Sequence, residues 1–181
     1  MIRPGPATLA ALAVAVLLLA WYLVWTVGRL DRLHGRVEGA RAALDAQLAH
    51  RAAVALELAA SGLLDPATSV LLVTAAHRAR AAEGDARELA ESDLSRALRA
   101  ALSEPETLAA LQADPPGAAV LAELDSTWRR VALARRFHND AVRAARALRR
   151  ARLVRYLRLA GRAPTPQTFE MDDAPPDGLA G

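Results

Sequence analysis

Hydrophobic and polar positions divide this chain into blocks of different period. Ala7 to Val27 reads ATLAALAVAVLLLAWYLVWTV and holds no charged residue. At a rise of about 1.5 Å per residue its helix would reach roughly 30 Å, the thickness of a bilayer's hydrocarbon core. From Leu30 the pattern changes. Leu30, Leu33, Val37, Ala40, Leu44, Leu48 and Arg51 recur at alternating spacings of three and four, a heptad-like seam. The pattern predicts one helix from about Ala7 to Ala60, its first part in lipid and its second in water, ended by Ser61-Gly62.

Three further elements follow. Asp65-Pro66 supplies an N-cap and a first-turn proline for a second helix to about Glu83, expected to bury Val70, Leu71, Val73 and Ala76. After a break at Gly84-Asp85, Ser92 is a candidate cap for a third element with Leu94, Leu98 and Leu102 on one face. Ser103-Glu104-Pro105-Glu106 reads as a capping box, so that element breaks near Ser103. Asp114-Pro115-Pro116-Gly117 is the clearest turn, and from about Gly117 to Ala160 runs the longest soluble helix. Its seam is Leu121, Leu124, Trp128, Val131, Arg135, His138, Val142 and Ala145. A second flank of Leu133, Phe137, Ala141, Ala144 and Leu148 widens the apolar face.

The expected fold is therefore all-α. A single N-terminal transmembrane helix precedes an antiparallel bundle of three to four long helices. The divisions are a lead over 1–6, an anchor over 7–27, a bundle over 28–160 and a disordered tail over 161–181, where four Pro and four acids accumulate. Composition agrees: Ala, Leu and Arg dominate, Lys is absent, and aromatics are 4%. With no Cys there is no disulfide, thiolate metal site or lipidated cysteine.

A cleaved signal peptide has a shorter apolar run ending in small residues. Here the run ends in Trp21, Tyr22 and Trp25, which read as interfacial anchors at headgroup level, so a retained anchor is expected. Only Arg3 precedes it, whereas Arg29, Arg32, Arg36 and Arg41 follow within fifteen residues. The positive-inside rule then places a short N-terminus outside and the bulk of the chain on the cytoplasmic side of the cell membrane.

Net charge is only +3, but it is segregated. Trp128 to Leu159 carries eleven Arg and one acid, whereas Glu83 to Asp125 carries ten acids and three Arg. One reading is a set of solvated helix faces paired with neighbouring acids. The other places Arg143, Arg146, Arg149, Arg150, Arg152, Arg155 and Arg158 on anionic headgroups, at about 1 kcal/mol each. Nucleic acid is a weaker fit, because Tyr156 is the single aromatic in this tract after Phe137 to stack on a base. Arg135 and His138 interrupt an apolar seam. Either they lie at the bundle edge, or they make a buried polar contact with Asp45 and Gln47 that fixes register.

GARAALDAQLAHRAAVALEL, later ARRFHNDAVRAA, and finally Phe169-Glu170 together resemble the LemA family. Its early motif is matched by Ala43, Asp45, Gln47, Leu48 and Arg51, and its late motif by Ala134, Arg135, Asn139 and Val142. His138 stands where that family usually has Tyr, and the Pro-Asn and Phe-Pro pairs that follow the two motifs are missing, so the chain resembles a divergent member. The resemblance implies an apolar N-terminal segment joined to an antiparallel helical bundle, and no particular chemistry.

Catalytic signatures are missing. His34, His50, His77 and His138 show no HExxH or i,i+4 pairing, and GxSxG, GxGxxG and phosphate-loop patterns do not occur. No catalytic, cofactor or metal-ligating residue is assigned. The sequence points to a non-enzymatic scaffold or interaction module. It would work at the membrane through an unidentified protein partner or by self-association, with anionic-lipid binding as the alternative.

Overall fold

The computed structural model describes residues 5–150 and 165–176. Among these the chain is all-helical, with five helices and no strand: α1 (Pro6–Ala60), α2 (Pro66–Ala81), α3 (Asp85–Ala101), α4 (Pro105–Ala113) and α5 (Pro115–Arg150). The chain divides into two compact units. Unit 1 is residues 1–39 with 140–167, and unit 2 is residues 40–139 with 168–181. On α1 the boundary between the two units falls at Gly39.

Helix starts follow local chemistry, not always the expected one. Asp65 caps α2 as its sequence suggests, accepting from the Ala67 and Thr68 backbone N–H groups at 3.0 Å each. α3 begins at Asp85, a full two turns before Ser92, because Gly84 at φ +56° already turns the chain there. Ser92 lies inside the helix and its hydroxyl donates to the Glu88 carbonyl. The capping box at Ser103 does not form: Ser103 Oγ donates back to the Ala100 carbonyl, and Glu104 occupies the cap position without a side-chain bond. α5 starts at Pro115, where Asp114 Oδ2 accepts from Gly117 N at 2.8 Å. A Cβ on Gly117 would stand 2.6 Å from the Leu111 carbonyl oxygen, so only glycine lets α4 and α5 meet this closely.

In unit 2 the helices pack on one core that includes Leu58, Leu72, Leu94, Leu98, Leu111 and Leu124, each fully buried. Burial of such a side chain contributes about 1.5–3 kcal/mol. Arg87 to Asp45 and Glu91 to Arg51 give α1 and α3 the same direction, whereas His50 to Glu123 and Leu44 beside Val131 give α5 the opposite one. The α1 seam is buried as its spacing indicates at Leu30, Leu44, Leu48 and Arg51. Two expectations fail. α2 buries Leu72, Ala76 and Ala79, leaving Val70 and Leu71 exposed, because an i, i+4, i+7 stripe with two alanines lets the helix approach closely. On α5 the second flank does not close either, since Leu133 and Phe137 are exposed.

Unit 1 contains the apolar run. Leu9, Leu12, Leu17, Trp21 and Val24 are all at least half exposed, on every side of the helix. This helix is long and apolar enough to cross a membrane, and only 6% of its most apolar window is buried. Further along, Thr26 and Leu30 of α1 and Ala141, Val142 and Ala145 of α5 are buried.

The tail departs most from expectation. Residues 168–176 are not a disordered appendage but an extended segment of unit 2, with Phe169 fully buried. Low hydropathy and four prolines hid one aromatic anchor and three acids that find arginines.

Candidate functional site

The site grows from one buried cation. Arg51 follows Leu44 and Leu48 on the α1 seam, so helical spacing carries its guanidinium into the interior, where it is 0% exposed. An isolated charge there would be prohibitive, and the partners are complete on one side. Arg51 Nη2 donates to Glu91 Oε2 at 2.6 Å and to the Glu91 carbonyl at 3.0 Å, and Nη1 donates to Ser95 Oγ at 3.0 Å. The guanidinium lies 5.3 Å from the centre of the Trp128 ring. Burial pushes the Glu91 carboxyl up, with Arg51 pulling against it, and burial lowers Arg51, with Glu91 opposing. Arginine stays protonated in proteins, so Arg51 carries a buried positive charge facing Glu91.

Over this pair lies the C-terminal segment, held between α3 and α5. Asn139 reads the Phe169 backbone on both sides, accepting from its N–H at 2.8 Å and donating to its carbonyl at 3.1 Å. The Phe169 ring enters a small apolar cluster of Leu44, Leu48 and Val131, and the Arg41 guanidinium sits 5.0 Å from its centre. From α3, Glu88 Oε1 accepts from Glu170 N at 3.0 Å and Ser92 Oγ accepts from Asp172 N at 3.1 Å. From α5, Trp128 Nε1 donates to the Asp173 carbonyl at 2.7 Å.

Charge completes the fit. Arg99 pairs with the Asp172 carboxylate and donates to the Ala174 carbonyl at 2.9 Å. Arg135 pairs with Asp173 at 2.7 Å and reaches Glu170 at 3.5 Å. The hydrogen bonds from Arg99 hold the Asp172 carboxyl below the usual aspartate range. Chemically the arrangement is a groove that offers fixed donors and acceptors to an extended backbone, one aromatic pocket and two arginines for acids, all taken up by residues 168–176.

Arg135 is thus neither an edge residue nor a partner of Asp45 and Gln47. Arg135 is half-buried against the tail's acids, and Asp45 pairs with Arg41 and Arg87. His138 is buried. The stretches 43–51, 134–139 and 169–170, far apart in sequence, converge on this groove.

The arginine tract lies elsewhere. Arg143 is exposed and pairs with Asp140, whereas Arg146 Nε donates to the Pro166 carbonyl at 2.7 Å. Arg146, Arg149, Arg150 and Thr165 line an open pocket of about 360 Å³ in unit 1, with no acid in its wall among the described residues. Arg152, Arg155 and Arg158 lie outside the described residues. Trp21, Tyr22 and Trp25 are exposed near one end of the apolar run, the last two rings 6.3 Å apart, with the Arg29 guanidinium 5.7 Å from the Trp25 ring. Among the described residues no three His, Asp or Glu side chains cluster as metal ligands would.

Sequence reasoning singled out Arg51 but not its partner. The signal was readable: Glu91 stands on the same stripe as Leu94, Leu98 and Leu102, and a cation on one seam requires an anion on a facing seam. The docking of 168–176 on α3 and α5 had no signal beyond the Phe169-Glu170 motif. No protein-family model and no curated protein matches this chain.

Proposed function

We propose that this chain is a membrane-anchored helical scaffold, a divergent member of the LemA family, that acts by binding and not by catalysis. The observation that carries the reading is the exposure of apolar side chains on all sides of α1 from Leu9 to Val24, in a helix that continues to Ala60. In water so large an unpartnered surface is strongly unfavourable, and in hydrocarbon it costs nothing. The helix satisfies its own backbone hydrogen bonds, as a bilayer requires. Trp21, Tyr22 and Trp25 sit at headgroup level, and the Arg excess after them holds the bulk of the chain on the cytoplasmic side of the cell membrane. The convergence of 43–51 and 169–170 with Ala134, Arg135 and Asn139 supports family membership, since these carry most of the early, late and closing motifs on which the resemblance rests; Val142 of the late motif lies in unit 1.

Alkaline extraction of membranes followed by N-terminal sequencing tests the anchor. The intact chain stays in the membrane pellet with its first residues present. Release into the supernatant, or a mature N-terminus beyond Trp25, rejects the reading.

A second reading, binding of anionic lipid headgroups, is favoured by the pocket of Arg146, Arg149, Arg150 and Thr165. Guanidinium forks suit phosphate oxygens. The full chain in nanodiscs then retains phosphatidylglycerol over phosphatidylcholine, and R146Q/R150Q reduces that preference severalfold. An unchanged preference rejects this second reading.

A further inference from the structure

The groove between α3 and α5 holds residues 168–176 the way a peptide ligand is held. Among the described residues, each hydrogen bond that ties this segment to the helices has a side chain on at least one end. Asn139, Trp128, Ser92 and Glu88 read its main chain, and Arg99 and Arg135 read its acids. Side-chain readout of an extended backbone, joined to one aromatic pocket, is what short-peptide recognition uses. The segment is also separable. The large core of unit 2, from Ala52 to Trp128, contains none of its residues, and Phe169 packs instead in the small cluster of Leu44, Leu48 and Val131. The ion pairs that hold its acids are partly exposed, so each contributes modestly and weakens with salt.

We propose that this groove is a recognition site for an extended segment of a partner protein, one with an aromatic residue followed by acids at the first, third and fourth positions after it. The chain's own Phe169, Glu170, Asp172 and Asp173 present that pattern as a resident competitor. The cis segment wins at rest because tethering gives it a high effective concentration. A partner displaces it by offering the same aromatic and acids at high local density or with contacts beyond the groove. This deepens the scaffold reading by naming what the scaffold binds. It rests on that reading for its biological setting, but its test runs in detergent and does not depend on bilayer insertion.

The probe is a fluorescent peptide of the sequence of residues 165–176, TPQTFEMDDAPP, titrated against the full-length chain in detergent. Phe169→Ala in the chain removes the cis anchor, so the variant binds the peptide about tenfold or more tighter than the wild type does. Adding Asn139→Ala to Phe169→Ala lowers that affinity at least about tenfold, since one side chain supplies two backbone bonds. Binding also falls steeply as salt rises from about 50 to 500 mM. A folded Phe169→Ala chain that does not bind the peptide, or binds it equally after Asn139→Ala, overturns the proposal. If Phe169→Ala does not fold, D172N/D173N, which loosens the cis segment without touching its apolar pocket, decides by the same criteria. A retained anchor with no peptide binding rejects this site alone, whereas peptide binding by a chain that alkaline extraction releases rejects the anchor alone.

Discussion

The two ends of α1 invert the usual relation between hydropathy and burial. From Leu9 to Val27 the helix is uncharged and almost wholly exposed, whereas from Leu44 to Ala59 it carries Asp45, His50, Arg51 and Glu57 and buries a full stripe, Arg51 included. The same backbone geometry serves both. What differs is the surroundings of each side chain: Leu17 is largely exposed among the described residues, whereas Leu58 is fully buried in the core of unit 2. Burial therefore reports where protein replaces solvent, and apolar composition alone does not determine it.

The largest expected effect comes from breaking the polar centre of the buried half. Glu91→Ala leaves the Arg51 guanidinium buried with its carboxylate partner gone, and should cost unit 2 about 3–5 kcal/mol in denaturant unfolding of the detergent-solubilised chain. Replacing both, as in R51M/E91L, should recover most of that loss, because the desolvation penalty leaves with the charges. A loss under about 1 kcal/mol for Glu91→Ala would mean that water reaches Arg51.

Next in size is a paired truncation along the one helix. Leu58→Ala should destabilise unit 2 by about 2–5 kcal/mol, the range for a fully buried leucine. Leu17→Ala, at an exposed position of higher local hydropathy, should stay within about 0.5 kcal/mol in the same measurement. Equal losses would show that the apolar half packs against protein.

The smallest effect is on pH. Asp172 is held below its ordinary value by Arg99, so its contribution is complete above the ordinary aspartate value near about 4 and is lost as pH falls through the depressed native value. Glu91 has the opposite sign. Burial raises it, so acid does not cost the fold through this group, and its own contribution declines as pH rises through the folded value. In a W21F/W25F chain, Trp128 emission should hold steady from pH 7 to about 5 and shift to the red only below about 4, as the Asp173 carbonyl leaves its indole. A shift already under way near neutral pH would contradict the ionic hold on the tail.

Much of this architecture was legible in residue spacing. The α1 seam, the Asp65 cap, the leucine stripe of α3 and the turn at Asp114 all act locally, through contacts between residues three or four apart, and local chemistry is what a sequence displays. Val70 and Leu71 misled because hydropathy favours large residues, whereas the buried stripe runs through Leu72, the expected Ala76 and Ala79. Ser92 and Ser103 misled because a hydroxyl that can cap a helix can equally donate to a carbonyl one turn back. The groove that holds residues 168–176 was out of reach for another reason. Asn139 and Phe169 are thirty residues apart, and Arg99 and Asp172 seventy-three, and pairings at such distances are set by tertiary closure. Phe169-Glu170 stands out as a motif, but the segment's low hydropathy gives no hint that a single buried ring would hold it.

Bilayer residence of the apolar half of α1 is tested most directly by tryptophan quenching. In a W128F chain reconstituted into vesicles, only Trp21 and Trp25 report. Lipids brominated close to the headgroup should quench them strongly, and lipids brominated near the chain ends should quench them much less. Emission insensitive to either lipid would contradict the membrane anchor.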